Sequence, residues 1–290
     1  MAPSIARFTI RFWGVRGSIP TPGPETVCYG GNTTCIEVRC DDTVLILDTG
    51  TGVRKLGALL MAEAAGQGLH ASILYSHLHL DHIQGFPFFG PIYSEATHLD
   101  IYAAVPKEAT PREVLASQMT YPSFPVGLAH LPARLEFHDV VAGDRWTIGP
   151  AVVETCPIPH PGGAMAIRIN HRGHAFVQCT DIEHTAAGPP DRLLALARGA
   201  DYLSYDTTYD DGAEYEAYRG WGHSTWREGL KVARAADVGT FIAFHHDPSH
   251  DDAFMDRIAA KVAAECPGAL VAREGMALDL LGGTMTSPAG

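Results

Sequence analysis

A chain of 290 residues, 46% of them hydrophobic, has enough apolar material for a sizeable core in one large domain or two small ones. Its formal net charge of −12 offers no basic stripe for long nucleic acid, which points to a small or locally bound substrate. No apolar run approaches the ~20 residues of a membrane helix, and the opening "MAPSIARFTIRFWG" alternates polar and apolar residues instead of pairing a basic segment with an apolar one, so a globular, cytoplasmic protein is expected.

In chain order, short β-branched or aromatic runs bounded by turn residues predict strands at 43–48, 71–76, 98–104, 133–140, 146–156, 164–170, 174–180, 200–206 and 240–246. Helical patterning predicts helices at 52–65, 111–119, 189–198, 226–236 and 251–264, the fourth with Thr225 and Glu228 at capping-box spacing. The interleaving predicts a layered, mixed α/β fold. With no fixed-period repeat and no low-complexity linker, a single domain over 1–290 is expected. The six cysteines read as buried thiols; Cys28, Cys35 and Cys40 are close enough for a structural zinc site, although their spacing matches no common knuckle.

Directly after the apolar run "ASILY" comes "SHLHLDHIQG" (76–85). At a strand exit, His77 and His79 at i, i+2 spacing turn their side chains to the same side. Asp81 and His82 follow within a turn, near enough to ligate a second ion, since paired catalytic metals lie about 3.5–4 Å apart. Further donors end other apolar runs: His160 in "CPIPHPGG", Asp181 in "FVQCTDIEH", Asp206 in "YLSYDTTY" and His245 in "FIAFHHDPSH". Each alone reads as a cap or turn residue. Together, at the strand exits of a layered fold, they converge on one rim.

This series, His77-x-His79-x-Asp81-His82 and then His160, Asp181 and His245, resembles the five-motif ligand set of the metallo-β-lactamase fold, with Asp48 in "LILDTG" matching its first motif. The resemblance runs from Phe12 to about Asp252. It implies an αββα four-layer sandwich with a dinuclear site at one edge of the two sheets. Within that superfamily "GVRGSIPTPGP", "YGGNTTC" and "GWGHST" look most like the phosphodiesterase branch, which includes phosphoribosyl cyclic phosphodiesterases, ribonuclease Z and cyclic-nucleotide phosphodiesterases. Carried over, His77, His79 and His160 hold one ion, Asp81, His82 and His245 the other, and Asp181 bridges them. The alternation in "FIAF" favours His245 over the adjacent His246. Asp48 orients ligands from behind. Mixed nitrogen and oxygen ligation without thiolate suits two Zn2+ or Mn2+ ions.

A hydroxide held between two cations is a competent nucleophile at neutral pH, and the cations neutralise charge on a phosphodiester. The departing alkoxide then needs an acid. His223, just before the helix from Trp226, matches the branch's catalytic histidine, with Asp206 placed to fix its tautomer and Asp81 completing the catalytic set. Arg16, Asn32 and Thr33 read either as substrate-binding groups at the mouth or as shapers of a β-turn. Tyr121 and Phe124 in "MTYPSFPVGL" could stack on a substrate or form a homodimer contact. The resulting expectation is a metal-dependent hydrolase of a small, cyclic phosphodiester, without long nucleic acid or membrane as partner. A thioesterase or lactonase on the same scaffold, or a silent nucleotide sensor, is the alternative.

Overall fold

Along Thr43–Leu47, Leu45 and Leu47 enter one apolar cluster while Val44 and Ile46 enter another, so this strand is buried on both faces. The computed structural model describes residues 6–105 and 109–287, and the same two-sided burial organises the sheets. The first strands are β1 (Phe8–Gly14), β2 (Cys35–Cys40), β3 (Thr43–Leu47), β4 (Leu69–Leu74), β5 (Thr97–Ala104) and β6 (Arg134–Val140). A second set follows: β7 (Arg145–Ile148), β8 (Ala151–Ile158), β9 (Ala164–His171), β10 (His174–Cys179), β11 (Tyr202–Asp206), β12 (Thr240–Phe244) and β13 (Leu270–Val271). The chain then returns to the first set through β14 (Ala277–Asp279) and β15 (Thr284–Thr286). These strands make an eight-stranded sheet, β15-β14-β1-β2-β3-β4-β5-β6, and a seven-stranded sheet, β13-β12-β11-β10-β9-β8-β7. Strands β3 to β6 are parallel, as are β10 to β13, which brings their carboxyl ends to a common edge of each sheet.

The helices are α1 (Val53–Ala64), α2 (Leu80–Ile83), α3 (Pro111–Ser117), α4 (Asp191–Ala197), α5 (Ala213–Tyr218), α6 (Trp226–Ala235) and α7 (Asp252–Glu265). Phe8, Ile10, Phe12, Leu45, Leu47, Ile167, Ile169, Phe176 and Phe244 fill the space between the sheets. Outside the first sheet, Ile46 and Ile73 pack with Val53, Leu56 and Leu60 of α1. Outside the second, Val177 and Leu203 pack with Trp226 and Leu230 of α6 and Ile258 and Val262 of α7. The architecture is the expected αββα sandwich. No helix among the described residues is long and apolar enough to cross a membrane.

Every predicted strand and helix is present, with one split. Residues 146–156 form not one strand but the hairpin β7–β8, because Gly149, at φ 53°, and Pro150 turn the chain. The Thr225 hydroxyl accepts from the Glu228 amide as expected, but the Glu228 carboxylate pairs with Lys231. Strands β1, β2, β13, β14 and β15 and the short helices α2 and α5 are additions to the predicted set.

Candidate metal centre

The ends of six strands, five of them in the parallel sets and one, β8, antiparallel, set the site. Asp48 follows β3, His77 comes three residues after β4, His160 two after β8, Asp181 two after β10, Asp206 ends β11 and His245 follows β12. Asp48, Asp181 and His245 sit in the left-handed region, at φ 60°, 55° and 62°. Each such residue costs on the order of 1 kcal/mol or more, a strain that persists where surrounding structure fixes it and that clusters at functional sites.

Two donor groups result, each with its ligand atoms within 4.8 Å of one another: His77, His79 and His160, and Asp81, His82, Asp181 and His245. Asp181 lies between them. Its Oδ1 is 3.8 Å from Nε2 of both His77 and His160, and its Oδ2 is 3.0 Å from His82 Nε2 and 3.2 Å from His245 Nε2. His160 Nε2 faces His79 Nδ1 at 3.1 Å, and His245 Nε2 lies 3.2 Å from Asp81 Oδ2.

Other residues fix the free edge of each ring. Buried Asp48 accepts from the Ser76 amide, from His82 Nδ1 at 3.0 Å and from Gln178 Nε2 at 3.0 Å, which leaves His82 Nε2 turned to the centre. His160 Nδ1 donates to the Gly222 carbonyl at 2.8 Å. His245 Nδ1 donates to Thr208 Oγ1, which donates to Asp206 Oδ1 at 2.9 Å. The Ser18 amide donates to Asp81 Oδ2 at 2.8 Å, so the "GVRGS" segment serves the centre through its backbone.

Charge decides what this arrangement accepts. Asp48, Asp81, Asp181 and Asp206 are all buried, and among the described residues they pair only with histidines, with no lysine or arginine. An uncompensated buried carboxylate costs several kcal/mol, so four together require positive charge. Burial alone would lower the pKa values of His82 and His245, but the carboxylates, Asp81 and Asp181 foremost, raise both. His77, His79 and His160, in the other group, are held neutral by burial, the form in which imidazole ligates. Nε2 of His77 is enclosed without a hydrogen-bond partner, and Nε2 of His82 faces the carboxylates of Asp81 and Asp181. Neutral imidazoles, the unpartnered His77 ring nitrogen and surplus buried carboxylates fit divalent cations, with a donor set suited to zinc or manganese.

His223 stands beside both groups. Its Nδ1 donates to Asp206 Oδ2 at 2.9 Å, leaving Nε2 as its free edge. Burial acts to lower its pKa, but Asp206 and Asp181 override that and hold it up to about 9. The Ser224 amide, in place of an anion site before α6, is turned to Asp206 Oδ1. An aromatic ladder missed at the level of sequence runs outward from here: Tyr209 meets His223 edge-on at 5.8 Å, Tyr218 stacks on Tyr209 at 4.9 Å, and exposed Trp221 abuts Tyr218. Thr208, Ser76 and Gln178 were missed as well; no ligand-type chemistry marks such supporting residues in a sequence.

For the residues that the sequence left with two readings, the structure gives the following positions. Arg16 is fully buried and hydrogen-bonded to the carbonyls of Gly30, Asp247 and His250, so it cannot reach a substrate. Asn32 is tied to Glu274, and Thr33 exchanges bonds with Thr51, contacts that match the turn-shaping alternative. Cys28, Cys35 and Cys40 do not converge: Cys28 is exposed, while Cys35 and Cys40 enter different apolar clusters. His246 points away, donating to the Ala272 carbonyl, and it is His245 that enters the centre. Phe124 packs edge-on against Phe88 at 5.7 Å, and Tyr121 is exposed.

A family model described as a β-lactamase superfamily domain matches residues 43–246. A ribonuclease Z of Thermoplasma acidophilum is 23% identical over 84% of this chain and 87% of its own. Among solved structures, the metallo-β-lactamase fold protein YhfI of Bacillus subtilis superposes with a TM-score of 0.70 at 18% identity, covering 95% of this chain and 100% of that one. A diphosphatase from the PhnP family superposes with a TM-score of 0.67 at 18% identity, covering 94% and 97%.

Proposed function

The chain belongs to the β-lactamase superfamily, in its metallo-β-lactamase fold, and from that premise we propose that it hydrolyses a small, cyclic phosphodiester with two divalent cations. The observation that carries this reading is the pair of donor groups sharing Asp181, with His223 and Asp206 beside them. In this reading His77, His79 and His160 would hold one Zn2+ or Mn2+, Asp81, His82 and His245 would hold the other, and Asp181, which lies between the two groups, would serve both. Divalent cations there supply Lewis-acid stabilisation of the phosphoryl oxygens and lower the pKa of water toward neutrality.

The chain's own groups do the rest. Asp206 accepts the Nδ1 proton of His223, fixing the tautomer that presents Nε2 to the leaving oxygen, and His223 delivers the proton the alkoxide needs. Asp48 and Thr208 hold His82 and His245 in place, so the donor sets need little rearrangement. Tyr209 beside His223, extended by Tyr218 and Trp221, would give a base or sugar an apolar wall. The formal charge of −12 supports a small substrate over a long polyanion, and likeness to a ribonuclease and a diphosphatase supports phosphoryl chemistry.

The test is leaving-group dependence. His223→Ala is expected to keep its bound metal and to lose about 10²–10⁴-fold on a cyclic nucleotide, whose leaving group is an alkoxide, and far less on a nitrophenyl diester. Full turnover of the cyclic nucleotide by that variant contradicts the role. Thioester or lactone turnover exceeding that of every phosphodiester contradicts the substrate class.

A further inference from the structure

We propose that the chain carries a second, separate divalent-metal site near the amino ends of β4, β5 and β6. It does not rest on the hydrolase reading. Parallel pairing sets His70 beside His98, Asp100 beside Glu136, and Tyr102 beside His138. Since His98, Asp100 and Tyr102 alternate along β5, all six side chains share the face that looks toward the second sheet. Further along, Leu74 and Tyr102 on that face join the core between the sheets. Tyr102 stacks on Trp146 of β7, the edge strand of the second sheet, so the histidines lie where its cover ends.

There the donors converge. His70 Nε2 lies 2.7 Å from Asp100 Oδ2, and His138 Nε2 lies 2.9 Å from Asp100 Oδ1. His98 Nε2 is enclosed, has no hydrogen-bond partner, and stands 3.4 Å from Glu136 Oε1 and 3.9 Å from Asp100 Oδ1. His70 and His98 stack at 4.6 Å and 4°. Two overlapping ligand groups share Asp100: His70 with His98, and Glu136 with His138. Glu136 also pairs with Arg134, which leaves Asp100 as the principal carboxylate. The group of His70, His98 and Asp100, two imidazoles and a carboxylate, suits a borderline cation of the Zn2+ type over Mg2+ or Ca2+, and His138 and Glu136 meet Asp100 from its other side. An ion held by His70, His98 and Asp100 ties β4 to β5 at the margin of the sandwich, with β6 linked through the bond from His138 to Asp100. Residues 70 to 77 of extended chain span roughly 20 Å, so this site is distinct from the centre that contains His77.

The test titrates full-length, metal-stripped protein with Zn2+ by calorimetry, beside His98→Gln and the double variant His70→Gln/His138→Gln. The native chain is expected to bind one more Zn2+ than either variant, with the same difference in a His79→Ala background and with hydrolysis unchanged in His98→Gln. Cu2+ added to His79→Ala protein is expected to show imidazole nitrogen splitting by electron paramagnetic resonance that weakens with His98→Gln. Equal Zn2+ stoichiometry in native and both variants, each verified as folded by circular dichroism, overturns the proposal.

Discussion

Asp181 is placed where both donor groups need it, and its neighbours show how single side chains control such a centre. Asp48 touches no more than the back of His82, Ser76 and Gln178, so Asp48→Asn is expected to weaken metal affinity by about 10–100-fold while turnover recovers at saturating metal. Isothermal titration with Zn2+ and a metal-activation curve check this; unchanged affinity contradicts it. Gly222 illustrates the opposite constraint. A Cβ there meets His160 Nδ1 at 2.5 Å, and the residue sits at φ 93°. Gly222→Ala is therefore expected to displace His160 and lower kcat/KM by roughly 100-fold, since misplacement by ~1 Å has that effect. Activity equal to the native protein sinks that prediction. At this scale the donors were legible because His77, His160, Asp181 and His245 follow apolar runs, His79, Asp81 and His82 crowd directly behind His77, and all carry ligand chemistry. Arg16 was left with two readings because glycine-rich turns look the same whether their polar side chains serve a ligand or backbone carbonyls, and burial is not written in local sequence.

Among elements, the β2–β3 turn fastens the two sheets through Asp41. Its carboxylate accepts from Arg172 and His171, at the β9–β10 turn of the second sheet, and from the Arg7 amide ahead of β1. The bond from Arg172, then that from Arg7, holds its pKa well below the usual carboxylate value of 3.8. The folded state thus favours the charged form; the stability it adds is complete above pH 3.8 and disappears as pH falls through the lowered value. Asp41→Asn is expected to lower the melting temperature by a few degrees at pH 7, with the gap from the native protein closing below pH 3.8. A gap independent of pH contradicts this account. Elements with strong periodicity and turn punctuation were legible to within a few residues. Helix α2, four residues long, was not, because it has too few positions for a period and its start at His79 is set by tertiary structure. The β7–β8 hairpin was hidden because both its arms carry strand residues and only Gly149-Pro150 interrupts them.

For the molecule as a whole, the parallel strands of two sheets carry polar residues to one edge while three apolar clusters hold the layers. The αββα layering was legible only through the likeness of its ligand series to a known family, since periodicity alone leaves the order of strands in a sheet open. The central claim is that this edge binds divalent cations and hydrolyses phosphodiesters. It is tested most directly by the turnover of bis(4-nitrophenyl) phosphate by metal-stripped protein reloaded separately with zinc and manganese, with His79→Ala alongside. Metal-dependent hydrolysis that falls by about 100-fold or more in the variant is the predicted result. No turnover with both donor groups shown to be filled contradicts it.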